Sequence, residues 1–122
     1  MRVMRGLLRT TFLSAAALGA VVAAPLAASA ASAPPDCPAN SICGYTEYGF
    51  HGKLVPLQAG AGCVNLEVPI RSIANTYPSP GIPAVAAVYD LPDCEGGRIA
   101  HVGQGQSDTM IVPDGVSVYL VW

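Results

Sequence analysis

Apolar and polar residues alternate in short stretches along most of the chain beyond residue 36. In Val116-Ser-Val118-Tyr-Leu120-Val-Trp122, positions 116, 118, 120 and 122 share one face by a period of two, which predicts a strand with one covered side. Seven other runs read as strands: Ser41 to Glu47 with Cys43 and Tyr45 alternate, Lys53 to Gln58, Cys63 to Val68, Arg71 to Tyr77, Ala84 to Asp90, Arg98 to Val102 and Thr109 to Val112. Pro56 interrupts the second run and assigns it to a sheet edge. Pro78-Ser-Pro-Gly-Ile-Pro83 can form neither helix nor central strand, so 78–83 reads as a link between two halves. No stretch beyond residue 30 sustains a helical period over ten residues, and the sequence's eleven prolines and thirteen glycines suit an all-β domain.

The two halves, 37–77 and 84–122, carry the same landmarks. Tyr45-Thr-Glu-Tyr-Gly-Phe50-His-Gly52 is matched by Tyr89-Asp-Leu-Pro-Asp-Cys94-Glu-Gly96, with the same Tyr-to-Gly spacing and a cysteine in place of the second aromatic. Ser72 and Ser117 follow these glycines at nearly equal distance, and each is followed five residues later by an aromatic, Tyr77 or Trp122. Eight short strands in two equivalent halves predict two Greek keys packed as a β-sandwich with an internal pseudo-two-fold repeat. Gly52 and Gly96 allow positive φ, and a folded hairpin can lay Tyr45 on Phe50.

The amino end belongs to a different class of segment. Arg2, Arg5 and Arg9 precede the apolar run Thr11 to Ala24 and the small residues Ala28-Ser29-Ala30, the layout of a secretory signal peptide over 1–30. Cleavage is expected after Ala30, with Ala31 and Ala33 as alternatives, leaving 31–36 as a flexible, patternless lead to the domain 37–122. The remaining chain sets Lys53, Arg71 and Arg98 against eight acids, a balance of −5. Three scattered cations give no footprint for nucleic acid or an anionic membrane surface. A secreted, extracellular monomer is expected.

Cys37, Cys43, Cys63 and Cys94 all lie beyond the export segment, and an even number in a small exported chain reads as disulfides. Of three connectivities, Cys37–Cys43 with Cys63–Cys94 is preferred. The first closes a loop at the amino end, and the second ties the end of one repeat to the hairpin of the next. No catalytic constellation accompanies them: His51 and His101 stand alone, Gly103-Gln-Gly105-Gln-Ser107 lacks the third glycine and helix of a nucleotide loop, and no metallopeptidase or nucleophile-elbow motif is present. The chain is not expected to be an enzyme.

The twice-given Tyr-x4-aromatic-x-Gly with its later serine resembles the βγ-crystallin double Greek key. More narrowly, Cys37-Pro-Ala-Asn-Ser41-Ile-Cys43-Gly-Tyr45 and Arg71-Ser72-Ile73-Ala74-Asn75 resemble the streptomycete metalloproteinase inhibitor family. The resemblance implies inhibition of thermolysin-like metallopeptidases by a rigid loop lying in the cleft like a substrate, with an extracellular peptidase as partner. In that family the loop lies in the second half and is held by a short local disulfide. The turn here, Pro92-Asp93-Cys94-Glu95-Gly96-Gly97, has one cysteine, is acidic and offers no bulky apolar residue after Cys94. The crystallin resemblance also raises calcium, but Asp114, Ser117 and Glu47 supply few of the six to eight oxygens required. No cofactor is expected beyond one weak calcium site there. Two other classes stay open, an extracellular calcium-binding or structural module and a secreted toxin-like antimicrobial.

Overall fold

The computed structural model describes residues 33–122. The export segment expected at 1–30 lies outside them. Eight strands form: β1 (Ile42–Tyr45), β2 (Leu54–Leu57), β3 (Gly62–Ile70), β4 (Ser72–Asn75), β5 (Val85–Tyr89), β6 (Arg98–Val102), β7 (Ser107–Asp108) and β8 (Gly115–Val121). They make two four-stranded sheets, ordered β2-β1-β4-β7 and β3-β8-β5-β6, and all the pairings are antiparallel. In each half the fourth strand returns to pair with the first, β4 with β1 and β8 with β5. The third strand crosses to the opposite sheet, so each sheet borrows one strand from the other half. Pro56 sits in β2, at a sheet edge as its missing N–H requires.

Period-two alternation sorts the side chains of β1 onto two faces. Ile42 joins the core between the sheets with Ile70, Ile73, Val88, Val102, Ile111, Val118 and Leu120. Gly44 faces the same way, close under Ile70. Cys43 and Tyr45 point outward into a second cluster with Cys37, Phe50 and Leu54. The lead covers this outer face and is pinned there: Pro34 is buried, Cys37 N–H donates to the Pro34 carbonyl at 3.0 Å, and Tyr45 Oη donates to Asp36 Oδ1 at 2.9 Å. At the link between halves, the buried Asn75 amide donates to the carbonyls of Ala84 and Val102 and accepts from Tyr77 N–H. Those bonds tie the ends of the proline-rich link to the core.

Two expectations need correction. The seventh strand was expected over Thr109–Val112, yet the ladder is made by Ser107 and Asp108 against Ala74 and Ile73. Ile111 is buried between exposed Met110 and Val112, but Thr109 is exposed too, the chain bends at 109, 112 and 113, and no ladder forms there: Ile111 bonds only at its N–H, to the Arg71 carbonyl. In β8, Val118 and Leu120 are buried as the alternation requires, but Trp122 is 63 % exposed. It lies beyond the last ladder pair, Val85 with Val121, and rests over Gly60.

Candidate functional site

Each half folds its first hairpin into the same hydrogen-bonded frame. After β1, Tyr48–Phe50 forms a single 3-10 turn, and after β5, Pro92–Cys94 forms another. Ser72 Oγ donates to the Glu47 carbonyl at 2.7 Å and accepts from Phe50 N–H at 3.0 Å. Ser117 Oγ donates to the Leu91 carbonyl at 2.6 Å and accepts from Cys94 N–H at 3.0 Å. Both serines are fully buried. The glycines expected to reach positive φ do so, Gly52 at 78° and Gly96 at 76°, and a Cβ on either would collide with side chains of its own hairpin.

The repeat is deeper than the sequence pattern indicates, because Gly49, Phe50, Asp93 and Cys94 are also left-handed, at 65°, 63°, 61° and 55°. Three of these are not glycine, and that conformation costs an L-residue about 1–2 kcal/mol. The serine bond to the second of each pair holds it there. At the tips the halves differ: Phe50 packs edge-on against Tyr45 with ring centroids 5.6 Å apart, whereas Cys94 is bonded to Cys63. Cys37 is bonded to Cys43, so both preferred pairings are present.

The turn Pro92–Gly97 is exposed except for half-buried Cys94, and it is braced from several sides. Asp93 N–H donates to Asn65 Oδ1 at 2.7 Å and Asn65 Nδ2 donates back to Asp93 Oδ1 at 2.9 Å. Gly97 N–H donates to Asp90 Oδ1 at 2.8 Å. Backbone and disulfide thus fix its shape, while its outward chemistry is acidic, with Leu91, 51 % exposed, as the neighbouring apolar side chain.

The three residues considered for calcium are not brought together. Glu47 and Asp114 meet around Arg71, whose Nη1 lies 3.1 Å from Glu47 Oε2 and whose Nε lies 3.0 Å from Asp114 Oδ1. The Arg71 guanidinium also lies 5.4 Å above the Tyr48 ring. Ser117 is committed to the second hairpin. A cation of the protein's own therefore occupies the space between the carboxylates, and among the described residues no group of three His, Cys, Asp or Glu is disposed to hold a metal. The hydrogen bond to Asp114, with both carboxylate charges, raises the Arg71 pKa further. Burial, then the hydrogen bond to Asp36, pushes the Tyr45 phenol well above its ordinary range. His51 and His101 are both exposed. The arginine cluster escaped sequence reasoning because its members stand 24 and 43 residues apart with no local motif.

The model of peptidase inhibitor family I36, the streptomycete metalloproteinase inhibitor family, matches residues 30–102. The chain belongs to this family. No curated protein matches it. Membership of family I36 makes the chain an inhibitor by lineage, not an enzyme, and a peptidase its partner. The family match includes the turn Pro92–Gly97 and the four cysteines. It ends at Val102, whereas β8, which supplies Ser117 to that turn, lies beyond it and is paired on both sides, to β3 and β5.

Proposed function

We propose that the chain is exported and inhibits an extracellular peptidase, a thermolysin-like metallopeptidase being the target class to which the resemblance points. The observation that carries this reading is a stiff, exposed turn on a family I36 scaffold: Pro92–Gly97 is held by Cys63–Cys94, Ser117, Asn65 and Asp90. A segment already fixed in one shape loses little conformational entropy on entering a cleft, which favours affinity and resists being cut. Export is supported by the two disulfides, which persist in oxidising compartments, and by the leader-like residues 1–30. The test is titration of the oxidised chain, from residue 31 onward, against a thermolysin-like metallopeptidase with a fluorogenic peptide substrate. Stoichiometric loss of activity, with the inhibitor recovered intact or cut once, is expected. Undiminished hydrolysis, or rapid digestion of the chain, overturns the proposal.

A further inference from the structure

The turn Pro92–Gly97 is too small to be the whole contact with a peptidase. A stable protein–protein interface takes roughly 20–30 residues from each side, so further surface must join it. The turn rests on the outer face of the β3-β8-β5-β6 sheet. Val64 and Val118 face the core, so their neighbours Asn65 and Ser117 point the opposite way, up to the turn that they hold.

The next row on that outer face is open. Ladder pairing sets Cys63 beside Tyr119, Tyr119 beside Ala87 and Ala87 beside His101, one residue from each strand. Facing side chains of such a row start about 4.5–5.5 Å apart, and Cys63 carries the disulfide to Cys94. Tyr119 therefore stands next to the tether of the turn. It is 45 % exposed, although β8 is paired on both sides. Val121, two residues further along the same face, is 37 % exposed, and His101 is exposed as well.

The corresponding row of the first half is covered. Cys43 lies two residues before Tyr45 as Ala87 does before Tyr89, and Ala74 lies two after Ser72 as Tyr119 does after Ser117. Cys43 and Ala74 are 2 % and 0 % exposed. The lead closes this face: Cys37 is bonded to Cys43, and Thr76 Oγ1, at the position that corresponds to Val121, donates to the Pro38 carbonyl at 2.6 Å. One half thus covers this face with its own chain, while the other presents a tyrosine there, a residue type enriched where contacts are strongest.

We infer that the row centred on Tyr119, with Val121 beside it, is a second contact of the inhibitor. It lies against an apolar wall of the peptidase while the Pro92–Gly97 turn enters the cleft; the inference rests on the inhibitor reading above. The experiment compares inhibition constants of the oxidised chain and of Tyr119→Thr, Tyr119→Phe, Val121→Asp and Tyr48→Thr against a thermolysin-like metallopeptidase, with melting curves and gel filtration for all five. Threonine keeps strand propensity, and Tyr48, 40 % exposed on the first hairpin, controls for loss of a surface tyrosine. Tyr119→Thr and Val121→Asp are each expected to weaken inhibition about tenfold or more, whereas Tyr119→Phe, which keeps the ring, and Tyr48→Thr change it less than about threefold. Val121→Asp, at the end of β8, decides the matter if Tyr119→Thr melts early. Inhibition by Tyr119→Thr and Val121→Asp equal to that of the parent overturns the inference and leaves the inhibitor reading standing. A parent chain that is dimeric, and monomeric as Tyr119→Thr, assigns the face to a second copy and overturns the inference too. Absence of inhibition by the parent chain overturns the inhibitor reading, and the inference with it.

Discussion

Replacing Ser72 or Ser117 by alanine tests whether the two hairpins are held by their serines. Ser72→Ala removes two hydrogen bonds, to the Glu47 carbonyl and from Phe50 N–H. It also releases Phe50, whose φ of 63° has little else to hold it beyond the ring contact with Tyr45. Two net hydrogen bonds are worth about 1 kcal/mol each. The first hairpin has no disulfide and is otherwise held by the Gly49–Thr109 bond, the Glu47–Arg71 pair and the Phe50 ring contact, so it can relax further than the second and a loss of about 2 kcal/mol is expected. Ser117→Ala removes the equivalent bonds, to the Leu91 carbonyl and from Cys94 N–H, but the turn cannot swing away. Cys94 is bonded to Cys63 and Asp93 is clasped by Asn65, so the orphaned groups stay dry and each adds part of a desolvation penalty of about 1–3 kcal/mol. The expected loss is about 3 kcal/mol, a large share of the roughly 5–15 kcal/mol that stabilises a typical domain.

Urea unfolding of the oxidised chain at neutral pH measures both. A double-mutant cycle adds Ser117→Ala to the Cys63→Ala/Cys94→Ala background, where the turn is free to relax and the cost of losing the serine should fall toward that of Ser72→Ala. A loss below about 0.5 kcal/mol for Ser72→Ala, or a cost of Ser117→Ala that does not change when the disulfide is removed, would refute the reasoning.

Other outcomes follow from the same contacts. Cys63–Cys94 spans 31 residues against 6 for Cys37–Cys43, so its double-alanine variant should lose about 4 kcal/mol against about 2 from loop closure alone, read as urea midpoints. Packing narrows that gap, because Cys37 and Cys43 are buried beside Tyr45. Tyr45 keeps its proton in the fold well above its ordinary range, while the unfolded chain loses it near pH 10. Its contribution is therefore intact below about pH 10 and is lost as pH rises beyond; urea midpoints from pH 8 to 12 should fall less steeply for Tyr45→Phe than for the parent. Arg71→Gln leaves Glu47 and Asp114 facing each other, so it should lower Tm at low salt, with the difference from the parent shrinking as salt screens the pair.

Short-range physics explains what could be read from the sequence. Tyr45, Phe50, Gly52 and their counterparts lie within one hairpin, where a residue type and a spacing suffice to specify a packed ring or a left-handed turn. The cysteines were legible as disulfides because an even number of them in a chain with an export-like leader points to pairing. The left-handed Phe50 and Cys94 were not, since no local preference favours them and serines 22 and 23 residues away hold them, while Asp93 is clasped by Asn65, 28 residues away. The Arg71 cluster was hidden for the same reason. Thr109–Val112 misled in the opposite direction: Ile111 is buried between exposed neighbours, but one buried side chain does not show that a neighbouring strand exists.

The exchange of third strands ties the two halves together. Because β3 belongs to the first half but lies in the second sheet, and β7 the reverse, neither half can complete a sheet alone. The chain must therefore cross between the sheets after each of these strands, at Arg71 in one half and over 109–114 in the other. In the first half the register slips between Asn65 and Ile70 and leaves Val68 exposed; in the second the chain departs from the ladder after Asp108 and leaves Met110 and Val112 exposed. The crossing anchors the segment at Ile111 while keeping its flanks free of the ladder. The second crossing thus exposes Met110 and Val112 beyond Val102, in the part of the chain that the family match does not cover. Ile111, by contrast, is fixed in the core, and the Arg71 carbonyl that accepts its N–H joins this crossing to the other.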